Sequence, residues 1–249
     1  MRYKTNAGMY KFDQKWIEKN GINVKAMARN ILDIYDSVIE RDRENGTDHY
    51  ADGFEWYNQK KEFCRAIAHQ KGVDLKRVVY TIAVTSNNIQ WSRQEKITAD
   101  FVQWVLDGHN PREFKRGILG NCAEKGAEII LYGNFSACRG PKVSVFAQNL
   151  MGDFNVVTID RHALRIALGY FTSDDETTSW VRDGPRRMCV EAAYHLAARC
   201  RGIPVALLQA TTWVSAVADK RMRGTERGEE NNPPRRKLSR ANSSVQPTA

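Results

Sequence analysis

Apolar side chains recur every three to four residues along most of this chain, and that spacing limits the fold more than any other feature. In NVKAMARNILDIYDSVIERD, Met27, Ile31, Ile34, Tyr35, Val38 and Ile39 fall at helical spacing. Asn23 stands just before the pattern, with Ile22 ahead of it, where a side chain can cap the first turn. WYNQKKEFCRAIAHQKG repeats the pattern through Tyr57, Phe63, Ala66 and Ile67, with Lys61 as a polar break and Gly72 as a stop. SRQEKITADFVQWVLDG and NCAEKGAEIILYG end at Gly108 and Gly133. Further helices are predicted from Lys142 to about Leu150, from about Asp160 to Gly169, from Pro185 to Cys200 and from Pro204 to Ala218. Both of those prolines suit a first helical turn. DLKRVVYTIAVTS is apolar on every side, which fits a central helix, although its β-branched content also admits a strand. No stretch alternates over a useful length. The expectation is an all-α globule of roughly nine or ten helices, large enough for two lobes that fold together.

The final segment has a different composition. RMRGTERGEENNPPRRKLSRANSSVQPTA is polar, contains Pro-Pro and offers almost nothing to bury. It predicts a disordered basic tail over 219–249 and one helical domain over 1–218. The net charge is +9, and from Lys220 onward eight Lys/Arg face three Glu, so the domain itself is only mildly basic. A basic balance of this kind suits a polyanion partner, nucleic acid foremost, or simply a solvated surface with a charged tail. No apolar run is long enough to span a bilayer, and the first residues lack the apolar core of a secretory signal. The five cysteines, with no CxxC spacing, fit reduced and mostly buried thiols in a cytoplasmic protein. Neither a GxGxxG, a P-loop nor an HExxH occurs, and the five histidines are scattered. No metal and no cofactor is expected.

The stretch ACRGPKVSVFAQNLMGDFNVVTIDRHALRIALG holds the most chemistry. Gly140-Pro141 makes a tight turn, and Lys142 stands in the first turn of a helix whose Val143, Phe146, Ala147 and Leu150 share a face. Gly152-Asp153 ends that helix. VVTID is a short apolar approach, with Asp160 where the next helix begins and Arg161, His162 and Arg165 after it.

This pattern resembles the helix-hairpin-helix DNA glycosylase superfamily of the endonuclease III type. In that family a hairpin of the form LPGVGxKTA precedes an apolar helix, and VDTHVxR carries the catalytic aspartate. RGPKVSV and IDRHALR look like the equivalent pieces, and Lys142 and Asp160 lie 18 positions apart, as the family's lysine and aspartate do. YTIAVTSNNIQWSRQEKITADF is similar to the family's segment in which a polar residue enters the DNA, a position that falls on Asn88, with Gln90 and Trp91 nearby. The resemblance covers about Leu75 to Gly169. Two departures stand out: Cys138 replaces the first hairpin glycine, and the family's iron–sulfur cysteines are absent. The chain also resembles uncharacterised phage and actinobacterial proteins related distantly to glycosylases, some phage members being associated with hypermodified thymine.

The resemblance implies a two-lobed helical fold and a DNA base N-glycosylase, with or without lyase activity, acting on a damaged or modified base flipped from double-stranded DNA. It would work as a monomer in a bacterial or phage-infected cytoplasm. Asp160 and Lys142 would be catalytic, while Gly140, Arg139, Arg161, His162, Arg165, Asn88, Gln90 and Trp91 would contact DNA. A carboxylate stabilises the positive charge that builds on the sugar, and an amine can attack its C1′. Each residue also has a plainer reading. Asp160 would cap its helix, Lys142 would be solvated or hold a phosphate, His162 would be structural, Trp91 would be core and Cys138 a small packing residue. At the level of the whole chain, the alternatives are a non-catalytic DNA-binding protein, a DNA base-hypermodification enzyme and a helical protein-interaction domain.

Overall fold

The computed structural model describes residues 2–86, 89 and 91–218. Asn88, Gln90 and the tail from 219 lie outside those residues. Arg2–Thr5 (β1) and Gly8–Lys11 (β2) pair as an antiparallel hairpin, with Tyr3 opposite Tyr10 and Thr5 opposite Gly8. This corrects the expectation of helix throughout. Strands of four residues are too short to register an alternation. Their signal is the Asn6-Ala7 turn closed by Gly8, whose φ of 101° disfavours any residue with a Cβ. Tyr3 and Tyr10 both pack on buried Phe12, at ring distances of 6.0 and 4.8 Å, which ties the hairpin to the core.

The other described elements are α-helices, apart from two short 3-10 turns at Pro111–Glu113 and Phe135–Ala137. They are α1 (Gln14–Lys19), α2 (Val24–Asn45), α3 (His49–Lys71), α4 (Leu75–Thr85), α5 (Trp91–Leu106) and α6 (Gly120–Tyr132), then α7 (Pro141–Met151), α8 (Arg161–Leu168), α9 (Asp174–Arg182), α10 (Gly184–Arg201) and α11 (Val205–Ala218). Among the described residues the protein is therefore all-α apart from its hairpin. Asn23 caps α2 as predicted, its Oδ1 accepting the Ala26 amide at 3.0 Å. Met27, Ile31, Tyr35 and Val38 form the buried stripe of that helix, while Ile39 sits off it and is exposed.

The ambiguous segment 75–85 is helical. Its buried Thr85 returns its hydroxyl to the Thr81 carbonyl at 2.8 Å, and Thr81 donates to Gly126 of α6 at 3.2 Å. Those bonds satisfy hydroxyls that would otherwise be costly inside a helix packed on all sides. Two helices went unpredicted, α1 and α9. They bury no residue and only Trp180, respectively, so apolar periodicity has nothing to detect. Their caps, Asp13 and Ser173, are what mark them in the sequence.

Buried apolar side chains fall into two large clusters and a small one. The first gathers α2, α8, α10 and the segment with Val157 and Ile159; the second gathers α3 through α7. α11 serves both, giving Leu208 and Ala216 to the first and Ala206 and Ala210 to the second. It touches α3 backbone to backbone: a Cβ on Gly53 would sit 2.4 Å from the Thr211 Cα. Among the described residues no helix is long and apolar enough to cross a membrane.

Candidate active site

The segment leading to Asp160 has no regular secondary structure, and two asparagine side chains hold it in place of a strand partner. Asn149, fully buried near the end of α7, donates to the carbonyls of Asp153 and Val156, each at 2.8 Å. Its Oδ1 accepts the Thr158 hydroxyl at 2.7 Å. On the other side, Asn6 of the hairpin turn donates to the Val157 carbonyl and accepts the Val157 amide, both at 2.9 Å. Asn149→Ala removes three hydrogen bonds of a buried side chain and strands two carbonyls, so a loss of about 3 kcal/mol is expected. Urea unfolding measures it; a midpoint equal to wild type would mean that the segment does not depend on Asn149.

So positioned, Asp160 caps α8. Its Oδ1 accepts the Ala163 amide at 2.8 Å. Capping occupies one carboxylate oxygen, and among the described residues no donor meets the other. The half-buried carboxylate is near enough to two buried phenols for its charge to act on them. Tyr57 donates to Gln209 Oε1 at 3.0 Å, and Tyr194 donates to the Ala163 carbonyl at 3.1 Å. Burial pushes both phenols far above the usual tyrosine range, and the nearby Asp160 charge adds to it, against Thr158 for Tyr57 and Thr212 for Tyr194. Both rings are thus neutral donors.

Tyr57 also links Asp160 to α7. Its ring packs 6.4 Å from Phe146, which lies one helical turn beyond Lys142. Phe146 belongs to a run of half-buried aromatic side chains. Trp56 lies 6.2 Å from it, 5.0 Å from Trp91 and 5.4 Å from Trp213. Trp213 in turn meets His162, in the first turn of α8, edge-on at 6.4 Å. Lys142 stands one helical turn before Phe146, and Asp160 two residues before His162, so the helices that begin at these two residues both contribute a ring to one aromatic run. Trp91 is fixed within it, since its indole N–H donates to Glu95 at 2.8 Å and Glu95 pairs with Lys60 at 2.8 Å. Lys60 lies over the rings of Trp56 and Trp91.

The other predicted residues divide. Gly140 is the N-cap residue of α7 and contributes no capping side chain. The amides of Lys142 and Val143 are thus left to solvent or a ligand. Its φ of −70° is ordinary, so Gly140 is not required by the backbone. Arg139 is exposed and bonds through Nε to the Ser136 carbonyl at 3.0 Å. Arg161 is paired loosely with exposed Asp174 at 3.5 Å. Cys138 is buried, its thiol pushed up to about 11 by burial against the pull of Lys125, and it packs with Val84 and Ile129. Arg165 requires a correction. It is 4% exposed, donates to the Thr172 carbonyl at 2.8 Å and stacks 3.6 Å over Phe171. A guanidinium held inside the fold does not reach a DNA backbone. The sequence reading also missed Trp56, Tyr57, Gln209 and Trp213 as site residues. The adjacent Trp56-Tyr57 pair on an amphipathic helix was the available signal.

Among the described residues no group of His, Cys, Asp or Glu could hold a metal ion. A model for a family of unknown function, DUF7178, matches residues 13–221. No curated protein and no solved structure matches the chain.

Proposed function

The chain belongs to that DUF7178 family of unknown function, and from its own residues we propose that it is a DNA base N-glycosylase of helix-hairpin-helix type, acting on a base flipped from duplex DNA. One observation supports this reading: the helix that starts without a side-chain cap and bears Lys142, and the helix that Asp160 caps, each contribute a ring to a single half-buried aromatic run.

Such a surface suits an extruded nucleotide. Half-buried tryptophan faces stack on any base, at about 1–3 kcal/mol for each stacked base. The amides at the start of α7 suit a phosphate, with Arg139 and Arg161 alongside as sequence-independent contacts. When the C1′–N bond breaks, its electron pair leaves with the base, which takes up a proton. Positive charge then spreads over C1′ and the ring oxygen. The Asp160 carboxylate offsets that charge in a partly dry site, where an electrostatic contact counts for more than in water. The bond to C1′ is then completed by water, which gives up a proton, or by the nitrogen lone pair of Lys142. In the second case a proton passes from that nitrogen to O4′ as the C1′–O4′ bond opens, leaving a C1′=N iminium to the lysine.

That iminium supplies the test. Borohydride added to the protein on duplex DNA with an abasic site delivers hydride to C1′ and locks the adduct. We expect a covalent product with wild type and none with Lys142→Ala. If wild type forms no adduct and releases no base from a panel of damaged duplexes, the glycosylase reading fails. Duplex affinity falling steeply with salt would then leave a DNA-binding protein.

A further inference from the structure

A cavity of ≈ 280 Å³, lined by neither Lys142 nor Asp160, lies between the hairpin, α10 and the start of α11. Leu196 and Ile203 give it an apolar wall. Three cations border it: Arg2 and Lys4, two apart on one face of β1, and Arg199 in the last turn of α10. No carboxylate lines it, and among the described residues none of the three cations is ion-paired. Like charges along one lining repel one another, so the arrangement favours an incoming anion.

The polar groups at the wall are of another kind. His195 Nε2 lies 3.3 Å from Asn6 Oδ1, an oxygen that already accepts the Val157 amide. That oxygen calls for a donor, so Nε2 carries the ring proton and Nδ1 is left as an acceptor. Burial first, and Lys4 second, lower His195 to about 4, so the ring is neutral near pH 7. Asn155, also at the wall, presents an amide that can both donate and accept. A ligand that satisfies the site has a flat apolar body, an edge with both donors and acceptors, and an anionic end. The volume lies just below the usual range of ligand pockets, which bounds the body to about one heterocycle with its sugar.

We propose that this cavity binds a nucleoside monophosphate, its base against Leu196 and Ile203 within reach of His195 and Asn155, its phosphate held by Arg2, Lys4 and Arg199. The site shares no residue with the proposed excision chemistry and stands or falls separately from it.

Titration calorimetry on the full chain tests this, with the four deoxynucleoside 5′-monophosphates, their parent nucleosides and inorganic phosphate as probes. At least one nucleotide is expected to bind about tenfold or more tightly than its nucleoside or phosphate alone, because the apolar and the cationic lining both contribute. Lys4→Glu and Arg199→Glu are each expected to weaken it by about tenfold or more, through like-charge repulsion along that lining. Both positions are exposed, and thermal melts of the two variants check that folding is kept. Lys142→Ala is expected to bind the nucleotide as wild type does. The proposal is overturned if no nucleotide binds, if phosphate alone binds as well, or if binding is lost with Lys142→Ala and kept with Arg199→Glu.

Discussion

Asp160→Asn is expected to remove base release and leave the fold intact. Asparagine caps a helix as well as aspartate does, so the Ala163 amide keeps its acceptor and stability should change by less than about 0.5 kcal/mol. What the substitution removes is the negative charge facing the sugar, and losing one such electrostatic contact costs about a hundredfold to a thousandfold in rate. Asp160→Ala provides the contrast, since it loses charge and cap together and should cost about 1 kcal/mol of stability besides. Single-turnover base release and thermal melts on the two variants separate the roles. If Asp160→Asn keeps wild-type rates, the carboxylate is a helix cap and the chemistry lies elsewhere.

The largest effect on stability is expected at Gly53. A methyl there would occupy space 2.4 Å from the Thr211 Cα and 3.0 Å from its amide nitrogen, and backbone cannot swing aside as a side chain can. Gly53→Ala must push α11 off α3, at a cost of about 3 kcal/mol or more. For a domain of this size each kcal/mol lowers Tm by about 2–4 °C, so a drop of roughly 10 °C is expected. Because α11 carries both Gln209 and Trp213, activity should suffer even below the melting transition. Gly184→Ala is the matched control. A Cβ there meets nothing within 4 Å and its φ is not positive, so the change should be neutral or stabilise by up to about 1 kcal/mol. Equal melting temperatures for the two variants would show that α3 and α11 can separate at little cost.

The helices were legible in the sequence wherever one face is apolar and the ends are marked. Asn23, Gly72, Gly133, Gly152 and Gly169 all stand at helix ends. The hairpin and the short helices α1 and α9 were not legible, because four strand residues or a single buried tryptophan carry no period. In the candidate site, Asp160 and Lys142 were singled out by the resemblance of RGPKVSV and IDRHALR to the helix-hairpin-helix pattern, and each stands at a helix start. The aromatic run could not be, since it joins α3, α5, α7, α8 and α11, and no spacing in one dimension reports a meeting of five helices. Arg165 shows the opposite failure. An arginine beside a charged turn reads as a surface contact until the Thr172 carbonyl and the Phe171 ring fold over it.

The sharing of α11 between both clusters bears on how the protein is made. Synthesis runs from the N-terminus, so α1 to α10 leave the ribosome before the helix that closes either core. Until Val205–Ala218 emerges, apolar faces on α2, α3 and α10 remain open to water and to chaperones. A nascent chain halted before Val205 should therefore be digested by protease, and one long enough to free α11 should resist.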